Sequence, residues 1–402
     1  MTTIDLPRDS TLERVADSLA ILASSKASEM TMDWPTLARL VKTGGAKSIL
    51  SIGDLIEESW TDKSPAEPKA YSLPWGVRHF GQVELEDGKT TNGLFLQTHY
   101  ATVKACQFSH PRAFLRCPDG LSAGTYYVTF AESFGSKIIK GEVFTFTLTQ
   151  DVPAGGRLAG LTYAGYDSPR ENWKVSSYDE TGKTIIETVA TTAEADGTSL
   201  GDMYSAKRNG NLNSSQEMSY GWNCWAKSAY RQYLNSSADK GAWWTAQDEW
   251  DIKPDQLDSM PGFLSGLPQE LIDAMLPVKT RTYLNTALAA ETGKDYVDTY
   301  DKVFLPSLQQ MYIVPQVADE GETWDYWKLI AGVDGQFKQY TNLSKLIQYA
   351  TENRTSAQNV RVRSAHRGYA YDVWYVSAAG TVGGYTAGFA YRACPACVIG
   401  KI

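Results

Sequence analysis

Between Asn359 and Gly400 the chain contains no Lys, Glu, Gln or Met, although these types make up about one residue in six of the whole. About seven of them would be expected there by ordinary usage. The segment is crowded instead with Tyr, Gly, Ala and Ser, as in "RSAHRGYAYDVWYVSAAGTVGGYTAGFAYRACPACVI" from Arg363 to Ile399. The commonest surface residues are therefore missing from a stretch that does not read as a buried core. A Tyr- and Gly-rich β-hairpin closing a domain fits the local composition, but it leaves the missing types unexplained.

The rest of the chain sets the frame for this segment. Its 402 residues, 43% of them hydrophobic, suffice for two or three folded domains. The net charge is −8, and no block of Lys or Arg breaks the acidic balance, which disfavours a nucleic-acid partner. The N-terminus has charges where a signal peptide needs an apolar core, and no apolar run is long enough for membrane insertion. Five cysteines without a secretion signal read as reduced thiols in a protein made in a cytoplasm.

Three textures follow one another, and together they predict an α+β protein. Residues 1–60 read as a short helical attachment or oligomerisation region. Ser10 and Glu13 form a capping-box pattern, and Leu12, Val15, Leu19 and Leu22 make a seam suited to a coiled coil or to a helix on its own domain. A second helix is expected from about Pro35 to Gly44-Gly45. Residues 61–165 read as a β-rich, sandwich-like spacer, with alternation in "GTYYVTF" (Tyr126, Val128, Phe130) and "GEVFTFTLTQ" (Phe144, Phe146, Leu148). Residues 166–402 mix helices and strands. There "WNCWAKSAYRQYLNS" places Trp222, Trp225, Ala226, Ala229 and Tyr233 on one helical face, and a helix is expected after Pro268. The many Trp between Trp222 and Trp374 predict an aromatic core.

Catalytic motifs are weak. "GLSAG" at residues 120–124 has the spacing of a nucleophile elbow, but Ser122 follows a turn and precedes a strand, where the motif needs a strand and then a helix. The four histidines His79, His99, His110 and His366 do not cluster, and Cys394 and Cys397 make a lone C-x-x-C, read as two small packing residues. No phosphate or dinucleotide loop is present, and the C-terminal segment has Asp372 as its one carboxylate. No enzyme, cofactor or metal is expected.

The segment closely resembles the variable region of proteins diversified by diversity-generating retroelements. In these systems adenine-directed mutation of Asn codons yields Tyr, Asp, His, Ser, Thr, Gly, Ala and Phe, but never Lys, Glu, Gln, Met or Trp. The resemblance divides the segment in two. A frame would comprise Arg363, Ser364, Ala365, Arg367, Ala370, Val373, Trp374, Val376, Gly380, Val382, Ala387, Ala390, Arg392 and "CPACVI". Interleaved ligand-binding positions would be His366, Gly368, Tyr369, Tyr371, Asp372, Tyr375, Ser377, Thr381, Gly383, Gly384, Tyr385, Thr386, Gly388, Phe389 and Tyr391. The variable region would span about 363–392.

With "RQYLNSSADKGAWW", "GFLSGL" and "DKVFLPS" upstream, the last 200 or so residues resemble a family of gut bacterial prophages. The resemblance implies a C-terminal C-type-lectin-like domain without the usual calcium-dependent sugar motif. It implies a receptor-binding protein on a phage tail, made in the bacterial cytoplasm and carried in the virion. Expected partners are a host cell-surface protein or glycan, other virion tail proteins, and further copies of the chain as a homo-oligomer, by analogy a trimer. Alternatives are a formylglycine-generating-type enzyme on the same fold, with Cys394 and Cys397 as its reactive pair, and a diversified bacterial surface or sensor protein. Tyr residues among Ser and Gly suit recognition in any case, since they combine rigid contact area with adaptable neighbours.

Overall fold

A computed structural model describes residues 33–129, 141, 143–158, 161–163, 173–175, 186–190, 196–202 and 217–402. The Ser10–Glu13 pattern and the Leu12–Leu22 seam lie outside these residues. The first described helix, Trp34–Thr43, forms because its ends are written into the sequence. Asp33 accepts a hydrogen bond from Thr36 N at 2.7 Å, Pro35 occupies the first turn, and Gly44 closes the helix at φ 81°. It buries Trp34, Leu37, Ala38, Leu40 and Val41.

The architecture is mixed helix and strand, with strand predominating. A central five-stranded sheet runs in the spatial order Leu55–Ile56, Trp75–Glu84, Thr90–Thr98, Ala396–Ile399, Val303–Phe304, with all neighbours antiparallel. The C-terminal strand is thus inserted between strands some 300 and 90 residues earlier, pairing Cys397 with Leu96 and with Val303. One core joins Leu37, Trp75, Leu96, Trp225, Trp324, Trp374 and Ile399.

This pairing corrects the expected partition of the chain. Residues 75–98, assigned to a spacer ending at 165, belong to the same sheet and core as the C-terminal strand, and so does the helix assigned to an N-terminal region. The alternating segments do form a separate sheet, in which Gly124–Thr129 pairs with Val143–Leu148 and buries Val128, Phe146 and Leu148. That sheet also takes Ile186–Ala190 and Thr198–Asp202 from beyond the expected boundary. Phe130 lies outside the described residues. Periodicity reports which face of a strand is apolar and does not report its partner.

A second correction concerns the Trp222–Tyr233 face. Trp225–Lys227 is a single 3₁₀ turn, and Ser228 is extended and caps a new helix, Ala229–Leu234, by accepting from Arg231 N at 3.0 Å. Ser at a cap competes with helix continuation. Pro268 stands at the N-cap of Gln269–Ala274. Among the described residues no helix is long and apolar enough to cross a membrane.

Candidate functional site

Four strands at the C-terminal end form a small sheet in the order Val382–Thr386, Asp372–Val376, Val360–Ala365, Arg392–Ala393. The first three are antiparallel neighbours, and Arg392–Ala393 runs parallel to Val360–Arg361. Nearly all the interleaved residues lie on this sheet or its loops.

The two sides of strand Asp372–Val376 differ. Tyr375 pairs with Gly383 and Arg361, and its ring meets those of Tyr391 at 5.1 Å and Tyr385 at 6.0 Å. Phe389 joins them, 5.4 Å from Tyr385 and 5.2 Å from Tyr391. Tyr385 is 40% and Phe389 52% exposed, so the cluster presents an aromatic patch to solvent. On the other side Trp374 is fully buried, stacked on His366 at 5.0 Å and 18° and flanked by Tyr340 at 5.5 Å.

Two buried polar residues, Arg361 and Asn223, and the exposed Gln316 hold the backbone of this surface. The Arg361 guanidinium donates to the carbonyls of Val373 (3.1 Å), Tyr385 (2.9 Å), Thr386 and Phe389 (3.1 Å), and lies 4.5 Å from the Tyr391 ring centroid. Burial lowers its pKa to about 10, so it stays charged at neutral pH. Asn223 donates its side-chain amide to the carbonyls of His366 (3.0 Å), Tyr369 (2.9 Å) and Asp372 (2.7 Å). Gln316 Oε1 accepts from Arg367 N at 2.8 Å and from the Trp374 indole at 3.3 Å. These three residues were not singled out by composition. Their one sequence signal is Arg361 beside Val360 and Val362 in a run with Arg363, in a strand that is buried along its whole length.

Of the expected scaffold residues, Arg363 is fully buried and donates to the carbonyls of Leu305 (2.8 Å), Arg281 and Glu320 and to Gln310 Oε1. Glu320 is buried too, and its carboxyl pKa is pushed up by burial. Arg392 forms a bidentate pair with Glu352 at 2.7 and 2.8 Å.

Several interleaved positions are not displayed. His366 is 8% and Tyr371 5% exposed; the latter packs on Tyr220 at 5.3 Å and Tyr369 at 5.8 Å. Their rings are packed against neighbouring aromatic side chains instead of facing solvent. The glycines differ as well. A Cβ at Gly383 would make ordinary contact with Tyr375 at 3.5 Å, whereas one at Gly384 would lie 3.2 Å from His366. A Cβ at Gly388 would sit 3.1 Å from both Pro111 and the Tyr220 carbonyl, so a larger residue there requires those neighbours to give way slightly. Gly368 and Tyr369 are exposed, and Asp372, Ser377, Thr381 and Thr386 are half-buried. Burial raises the Asp372 pKa to about 6 and lowers that of His366.

Ser122 is an exposed turn residue whose carbonyl accepts from Tyr126 Oη at 2.9 Å, and a strand follows it. Cys394 and Cys397 are buried free thiols; burial pushes the first up to about 12 and the second well above its ordinary value. A nucleophilic thiolate needs the opposite environment. Among the described residues no group of three or more His, Cys, Asp and Glu is placed to hold a metal ion.

The family model described as "Domain of unknown function (DUF6273)" matches residues 183–400. No curated protein and no solved structure matches the chain.

Proposed function

We propose that this chain, which belongs to the DUF6273 family, is a diversified binding protein that recognises its ligand through the aromatic face of the C-terminal sheet. One observation carries the reading. The residues that adenine-directed mutation cannot or need not change, such as Val373, Trp374, Val376, Val382 and Ala387, are fully buried, while Tyr369, Tyr385 and Phe389 of the interleaved set are exposed. A fold that tolerates change at a surface needs its backbone held by residues that do not change, as Arg361, Asn223 and Arg363 hold this one.

In the same reading the C-terminal part is a C-type-lectin-like domain, to which strands 75–98 contribute, and the protein acts on a phage tail as a receptor-binding protein. Its partners are a host-surface protein or glycan, neighbouring tail proteins and further copies of itself. Sequencing the gene's neighbourhood tests the proposal. A reverse transcriptase and a template repeat differing from residues 363–392 only at adenines are expected, and a neighbourhood with neither contradicts it.

A further inference from the structure

The central sheet carries another buried guanidinium, and this one has no acceptor. Arg78 sits where strand Trp75–Glu84 shifts register against Thr90–Thr98, between Val77 and His79. It is 3% exposed, and neither Nε nor Nη1 has a hydrogen-bond partner. The other fully buried arginines are matched: Arg361 and Arg363 by backbone carbonyls, Arg112 by Glu217 and Asp248. Among the described residues no carboxylate pairs with Arg78. An uncompensated buried charge costs several kcal/mol.

The surroundings form a cradle. Gly76 leaves the space that the guanidinium fills, since a Cβ there would lie 2.3 Å from Nη1 and 2.5 Å from Cζ. The ring of Tyr326, on helix Asp325–Ala331, covers it at 3.8 Å. Gln97 stands opposite Gly76 in the register; its Nε2 donates to the Cys394 carbonyl at 3.1 Å, and its Oε1 has no partner. His99, two residues further along, has an unpartnered buried Nδ1. Burial, then the charges of Arg78 and Arg354, lower the His99 pKa, and Glu57 partly offsets them.

We propose that Arg78, with His99 Nδ1 as a second donor, holds a halide-sized monovalent anion beneath Tyr326, tying helix Asp325–Ala331 to the central sheet. Buried Arg78 lacks both an acceptor for Nε and Nη1 and a counter-charge, and a small anion supplies both. The assignment does not depend on the recognition role of the C-terminal sheet.

The test compares melting of the full chain in sodium chloride, bromide and gluconate at equal ionic strength, together with anomalous diffraction from crystals soaked in bromide. Melting about 2–4 °C higher in the halides is expected, with a bromine peak within hydrogen-bond distance of the guanidinium. Arg78→Met, which needs no counter-ion, should lose the halide dependence. Equal melting of the wild type in all three salts, a halide dependence that persists in Arg78→Met, or a water alone at Arg78 in the bromide crystals overturns the proposal. Should Arg78→Met fail to fold, the wild-type series and the bromide map decide it.

Discussion

The two sides of strand Asp372–Val376 are both aromatic and yet are built differently. On one side Trp374, fully buried, lies against His366 and Tyr340, and the rings themselves fill the space between sheet and core. On the other, Tyr375, Tyr385, Phe389 and Tyr391 lean on one another over a backbone whose carbonyls are already held by Arg361. Removing a ring from the first side opens a hole; removing one from the second leaves the hydrogen bonds that fix the chain. Tolerance to substitution follows from what holds the backbone rather than from residue type.

The comparison breaks most directly at its support. Arg361→Met should cost about 3–5 kcal/mol in chemical denaturation, because it strands buried carbonyls; a loss below 1 kcal/mol would mean that the patch holds itself together. Trp374→Ala should cost about 3–5 kcal/mol, the range for deleting a buried aromatic ring. Tyr371 sharpens the distinction, because it counts as interleaved in the sequence but is buried. Its change to Ser should cost about 2–4 kcal/mol, measured beside Tyr385→Ser.

Asp372 gives a pH-dependent contrast. Its folded pKa, about 6, is raised above the unfolded value near 3.8. The folded state therefore binds the extra proton between those values, and stability is lost as pH rises from about 4 through about 6. His366, lowered by burial, contributes the opposite slope, with stability lost as pH falls through its ordinary range. The difference between wild type and Asp372→Asn isolates the first effect: the Asn variant should gain relative stability over that window, and a flat difference would place the carboxyl in water. The smallest expected effects are at the exposed rings. Tyr385→Ser and Phe389→Ser should stay within about 0.5 kcal/mol of wild type in the same denaturation experiment, and a larger loss at either would move that ring into the core.

Much of this was legible in local sequence. The Pro35 and Gly44 signals bounded a helix, and alternation found the strands holding Val128 and Phe146, because caps and periodicity act over a few residues. On the resemblance Trp374 reads as a frame residue, and it is buried. What escaped is non-local. Nothing near Arg361 or Asn223 in sequence announces which carbonyls they will satisfy, since those belong to Tyr385, Phe389 and Tyr369. The partition at 165 failed because strand Ala396–Ile399 finds its partner at Leu94–Gln97. The burial of His366 and Tyr371 likewise depends on Trp374 and Tyr220, which come from different elements.

The central claim is that a buried frame carries the fold while the displayed set is free to vary. A library that randomises Tyr369, Tyr375, Ser377, Thr381, Gly383, Tyr385, Phe389 and Tyr391 together, with the residues reachable from Asn codons, tests it by the fraction of members that resist proteolysis as wild type does. Most members should remain folded, while a matched library over Val373, Trp374, Val376, Val382 and Ala387 should yield almost none. Comparable survival in the two libraries would contradict the account.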